Sequence, residues 1–129
     1  MSAQKDIASI VYVIDAYFLG LYHADSKKLA DVFHPDARYV NMVDDDYMNY
    51  SMQEYFAKID LRTPPASSGA PRAENIMSIE LGGERMAFVK LKMTMFGREY
   101  LDFLTLTHDR LGWRIMSKVF TYIPNSKEN

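Results

Sequence analysis

The chain has 129 residues, of which 48% are hydrophobic and 25% charged, an ordinary globular balance that excludes a disordered, collagen-like or membrane-spanning polymer. Fifteen Lys and Arg against 17 Asp and Glu give a net charge of −2, so no basic surface exists to neutralise phosphates and nucleic acid is not expected as a partner. With no cysteine, disulfides, thiolate metal sites and a cysteine nucleophile are all excluded, and a reducing cytoplasmic location is the expectation.

Ile7, Ile10, Val11, Ile14, Tyr17, Phe18 and Leu21 recur at steps of three and four, which predicts an amphipathic first helix of about four turns. Ser9 and Asp15 interrupt the apolar run, and no basic leader precedes it, so it reads as neither a signal peptide nor a membrane span. Asp25 or Ser26 can cap a second, shorter helix carrying Leu29, Val32 and Phe33 on one face. Pro35 forbids its continuation, and His34-Pro35-Asp36-Ala37 is expected to form a turn. Arg38 to Val43 is a short extended piece that the adjacent carboxylates Asp44-Asp45-Asp46 break.

Ser51-Met52-Gln53-Glu54 has the form of a capping box and starts a third helix with Met52, Tyr55, Phe56 and Ile59 inward. A long loop follows from Arg62 to Arg72, with three prolines and a glycine, which is either a mobile connection or a lid. From Glu74 the period changes to two. Glu74 to Leu81, Arg85 to Phe96, Tyr100 to Thr107 and Trp113 to Ile123 predict four antiparallel strands in a meander, with turns at Gly82-Gly83 and Gly97-Arg98. Helices first and hairpins afterwards predict an α+β fold, one domain over residues 1–129 with its core at about 6–124 and a polar tail from Asn125 to Asn129.

Three blocks of sequence carry a resemblance. They are Gly20-Leu21-Tyr22-His23-Ala24-Asp25 with Leu29 to Ala37 (L-A-D-V-F-H-P-D-A), then Tyr100 to Leu106, then Gly112-Trp113-Arg114-Ile115 with Lys118-Val119-Phe120. In order and spacing they resemble the nuclear transport factor 2-like superfamily, which includes SnoaL-like polyketide cyclases, ketosteroid isomerases and a lumazine-binding-like group. The similarity runs from about Ile7 to Pro124, and the last two blocks point to the lumazine-binding-like group. The resemblance implies a cone, in which three helices pack on a curved antiparallel sheet around a pocket, and a homodimer built on the sheet's convex face.

It also implies roles. The isomerase-like branch pairs an oxyanion-donating tyrosine on the first helix, here Tyr17, with an aspartate base whose position falls on Asn41, an amide that cannot take a proton at neutral pH. Asp102 alternates with Tyr100, Leu104 and Leu106, and is read either as an acid within the pocket wall or as a structural ion-pair partner of Lys118. Pairing His108 with Trp113 would set Asp102 against Val119 and turn Lys118 to the other face; a slip of one residue would bring Lys118 opposite Asp102. His34, at a helix end, can shuttle protons or cap carbonyls.

Tyr12, Tyr17, Phe33, Tyr39, Phe56, Leu104 and Trp113 are the candidate ligand-binding ring, and the same residues also make sense as plain core. The chain contains no metal-ligand spacing and no phosphate-binding or nucleophile-elbow motif, so neither metal nor cofactor is expected. Three functions remain. The first is a small-molecule binder holding a planar or apolar ligand, with Tyr17 and Asp102 orienting it. The second is a cofactor-free cyclase, dehydratase or isomerase using Asp102 or His34 as base and Tyr17 as donor. The third is a dimeric interaction module.

Overall fold

The structure is a computed structural model that describes residues 2–124; the expected polar tail lies outside them. Helix α1 (Ala3–Tyr22) is longer than its apolar stripe because Ser2 caps it one turn earlier, accepting from the Lys5 amide at 3.1 Å. Asp25 caps α2 (Ser26–Val32) through the amides of Lys27 and Lys28. The two helices meet where Gly20 gives way to Leu29: a Cβ on Gly20 would lie 2.6 Å from Leu29 Cδ2, so any larger residue would have to displace that buried side chain. In α3 (Met52–Asp60) both halves of the predicted capping box are made, with Ser51 and Glu54 satisfying each other's amides.

Six strands form one sheet: β1 (Phe33–Asn41), β2 (Met48–Ser51), β3 (Glu74–Gly82), β4 (Met86–Met95), β5 (Arg98–Asp109) and β6 (Gly112–Pro124), in the order β2-β1-β6-β5-β4-β3. The predicted meander is present as β3 to β6. The sheet is larger than expected and mixed, because β1 runs parallel to β6 and takes β2 along its other edge. The turn expected at His34 to Ala37 is instead an irregular part of β1, where the pairing to β6 shifts between Phe33 and Arg38. Proline lacks only the amide, and a strand irregularity tolerates that loss as readily as a turn does.

One face of the sheet is covered by the helices. Ile10, Ile14, Tyr17 and Leu21 of α1, Leu29 of α2 and Met52, Tyr55 and Ile59 of α3 bury against Val89, Leu91, Leu104, Leu106 and Ile115. The long loop after α3 holds a short 3-10 turn (Pro65–Ser68) and is pinned to α1 by Tyr22, which donates to the Ala70 carbonyl, and by Arg72, which lies between Glu74 and Asp15. No helix among the described residues is long and apolar enough to cross a membrane.

Candidate functional site

A β-bulge decides what faces the helices. Strand β6 begins in the expected register, with His108 opposite Trp113 and Leu106 opposite Ile115, but Thr105 then pairs with Ser117, leaving Met116 as the extra residue. The side chains beyond it change sides. Lys118, Phe120 and Tyr122 follow Trp113 and Ile115 onto the helix-covered face, while Val119 turns outward at 45% exposure. The slip therefore occurs, opposite in sense to the one that would pair Asp102 with Lys118: Asp102 faces Phe120, and Lys118 faces Leu104. Asp102 and Lys118 become diagonal neighbours on one face.

Both charges are buried, Asp102 at 1% and Lys118 at 5% exposure, and Lys118 Nζ lies 3.8 Å from Asp102 Oδ2. Tyr17 Oη, reaching in from α1, donates to the same oxygen at 2.6 Å. Four rings enclose the ammonium, those of Phe120, Tyr39, Tyr17 and Tyr55, with centroids 4.9, 5.1, 5.2 and 5.8 Å away. Tyr39 is the direct neighbour of Lys118 on β1 and stacks on Tyr55 at 4.1 Å. Two polar atoms of the cluster, Asp102 Oδ1 and Tyr55 Oη, are buried with no partner among the described residues, a costly state.

The electrostatics follow from dryness. Burial pushes the Lys118 ammonium down to about 8, overcoming the opposing pull of Asp102, and nearby Arg62 pushes the same way as burial. The Tyr17 phenol is raised well above its ordinary range, first by burial and then by the charge of Asp102; Tyr55 is raised by burial and by Tyr39. Tyr17 is thus fixed as a neutral hydrogen-bond donor.

Among the residues singled out in the sequence, Tyr17 and Asp102 are brought into contact, and Phe33, Tyr39 and Leu104 are buried on the same face. Phe33 joins the cluster edgewise, against Tyr17 at 5.9 Å and Phe56 at 6.3 Å. His34 does not join. It turns away from Phe33, and its Nδ1 accepts from the Asp36 amide in the irregular part of β1. Tyr12 must be removed from the interior ring, whereas Trp113 is buried on the helix-covered face at 6% exposure. Tyr12 is 78% exposed because it falls off the buried stripe of α1, and it lines an outer groove with Trp113, whose indole donates to Asp6 at 3.4 Å.

Asn41 is fully buried and committed. Its amide donates to the Asp46 carbonyl at 2.8 Å and accepts from the Val43 amide at 3.0 Å, which ties down the loop before β2. Asp46, at the end of the acidic run, also accepts from Tyr122. Lys118, Tyr55 and Arg62 were not among the predicted site residues. Tyr55 was visible as an inward helix position, but the placement of Lys118 depends on a bulge that alternation does not announce.

Three helices packed on a sheet of this order define a nuclear transport factor 2-like fold, and solved structures agree. An NTF2-like protein of unknown function from Silicibacter pomeroyi superposes with a TM-score of 0.85 at 21% identity, covering 95% of this chain and 100% of that one. Another from Shewanella baltica gives 0.84 at 23% identity, with 97% and 99% covered. A ketosteroid isomerase-like protein from Erwinia carotovora atroseptica gives 0.70 at 15% identity, with 92% and 96% covered. Residues 5–121 match the family described as putative lumazine-binding, and the chain belongs to that family. No curated protein matches it in sequence.

Proposed function

We propose that the protein binds a small planar or apolar molecule inside the cone, with the ligand's polar edge on Asp102 and Tyr55 and its body against the surrounding rings. One observation carries this reading: two buried oxygens, Asp102 Oδ1 and Tyr55 Oη, lack partners among the described residues, beside a buried ion pair. A fold gains no stability from such a cluster that an apolar one would not supply. Membership of a family described as putative lumazine-binding supports a small-molecule partner.

Native mass spectrometry of freshly purified protein tests the proposal. A non-covalent adduct of one small molecule per chain, absent from Tyr55→Phe, is the expected result. A bare mass, together with no thermal shift from any member of a panel of planar heterocycles, would sink it. The same spectrum reads assembly. Phe103 and Val119 lie exposed on the outer sheet face, where a homodimer would form, and Phe103→Lys should convert a dimer mass to a monomer mass.

A second reading, proton-transfer catalysis without a cofactor, draws on Lys118, which titrates nearer neutrality than an ordinary lysine. The Asp102→Asn variant separates the two. Ligand affinity would be roughly kept under binding alone, whereas turnover would fall by at least about a hundredfold if the carboxylate moves the proton.

A further inference from the structure

A hollow of about 50 Å³ lies between α1, the end of β4 and the loop after α3, and none of Tyr17, Tyr39, Tyr55, Asp102 and Lys118 lines it. Its floor is Phe18 and Leu21 of α1 with Met93 of β4, all three buried, and half-buried Met95 beside them. Its roof is Pro65, Ala70 and Pro71 of the loop. Proline and alanine side chains are short and have no rotamers to swing through, so the roof cannot fill the gap by rearranging.

The loop is held over the floor at several points. At one end the Arg62 guanidinium lies 5.4 Å from the Phe96 ring, and at the other Arg72 pairs with Glu74 at 2.7 Å. Between them Tyr22 donates to the Ala70 carbonyl, and Gly69, at φ +69°, turns the chain back after the short 3-10 turn. The same contacts occupy the polar groups around the hollow. Both carboxylate oxygens of Glu74 accept from Arg72, and the Ala73 carbonyl accepts from the Thr94 amide. A water placed there would find few of the partners that hold a buried water, while the apolar lining forfeits the dispersion contacts that a carbon guest would restore.

We infer that this hollow is an apolar binding site that takes a hydrocarbon group of about two or three carbons, held between a stiff proline roof and an adaptable methionine floor. The size follows from the volume. A dry cavity of about 150 Å³ accepts the six carbons of benzene, and this one has about a third of that space. The methionines adjust the fit, because an unbranched thioether closes on guests of differing shape. Phe96, half exposed at the rim, marks the side from which a guest enters. The site stands apart from the proposed ligand contacts at Asp102 and Tyr55 and does not depend on them.

The methionines serve as both wall and reporter. Their ε-methyl groups are labelled with ¹³C in the full chain, and the resonances are followed under rising pressure of cyclopropane, with formamide as a small polar probe. The expected result is a saturable shift of Met93 and Met95, no movement of exposed Met42, Met77 and Met86, and no response to formamide. Ala70→Leu, which adds a side chain to the lining, should weaken cyclopropane binding at least about tenfold while leaving the other methyl resonances in place.

Non-saturating shifts of all the methionines together, or a Met93 and Met95 response that survives Ala70→Leu unchanged, would overturn the site. If Met52 and the Tyr39 and Tyr55 rings move while Met93 and Met95 stay still, the guest prefers the aromatic cluster: the hollow is then no site, and the ligand reading at Asp102 stands without it.

Discussion

The interior cluster and the outer groove are built from the same kinds of residue. The groove, of about 590 Å³ between α1, α2 and the β5–β6 hairpin, presents Lys5, Tyr12, Lys28, Asp31 and Arg114 beside Trp113. The interior has Lys118, Asp102, Tyr17, Tyr39 and Tyr55. What differs is water. In the groove, solvent screens Lys5, Lys28 and Asp31, and an exposed cation beside a carboxylate is worth little; Arg114, with its side chain 16% exposed, is the exception. Inside, the same pair acts through a medium of far lower polarity, so each group's titration depends on its neighbours. Composition therefore does not identify chemistry in this fold; the face on which a residue sits does.

The contrast can be broken most forcefully by removing one interior charge. Asp102→Ala leaves Lys118 buried and unpaired, and chemical denaturation should show a loss of about 3–5 kcal/mol. The double variant Asp102→Leu with Lys118→Met should recover most of that loss, since an apolar pair needs no compensation. If the double variant is as unstable as the single one, the buried pair is not the source of the cost.

The next effect is a slope with pH. Lys118 titrates at about 8 when folded and at its ordinary 10.5 when unfolded. Below about 8 both states are protonated, and the folded one bears the full cost of a buried cation. Between 8 and 10.5 the unfolded chain binds more protons, so folding stability rises with pH, by at most about 1.4 kcal/mol per unit. The raised Tyr17 and Tyr55 phenols oppose this once unfolded tyrosines ionise above about 10. Urea titrations between pH 8 and 9.5 should show the rise in the wild type and a flatter line in Lys118→Met.

The smallest effects sharpen the comparison from the other side. Tyr12→Ala and Lys28→Ala, both in the groove, should each change stability by no more than about 0.5 kcal/mol in the same assay. A loss several times larger would show that the groove is not simply solvated surface.

Most of the architecture was legible because it is periodic. The α1 stripe, the reciprocal caps of Ser51 and Glu54 and the two-residue alternation from Glu74 onward each follow from local geometry. Tyr17 and Asp102 were legible as inward positions on long, regular elements. What escaped depended on irregularity or on partners distant in sequence. The parallel pairing of β1 with β6 joins residues nearly eighty positions apart, and no pattern within either segment signals it. Tyr12 was misplaced because aromatic character was weighed above helical phase. Lys118 stayed open between the outer face and a place opposite Asp102, because alternation does not announce that the strand adds a residue at Met116.

That added residue makes the character of the interior depend on a single position. Were Met116 kept but paired evenly, with no bulge, Lys118 would swing out into solvent and Val119 would take its place beneath the helices. A frame of odd and even positions, shifted by one, would also turn Phe120 and Tyr122 outward and exchange a buried ion pair for a hydrocarbon filling.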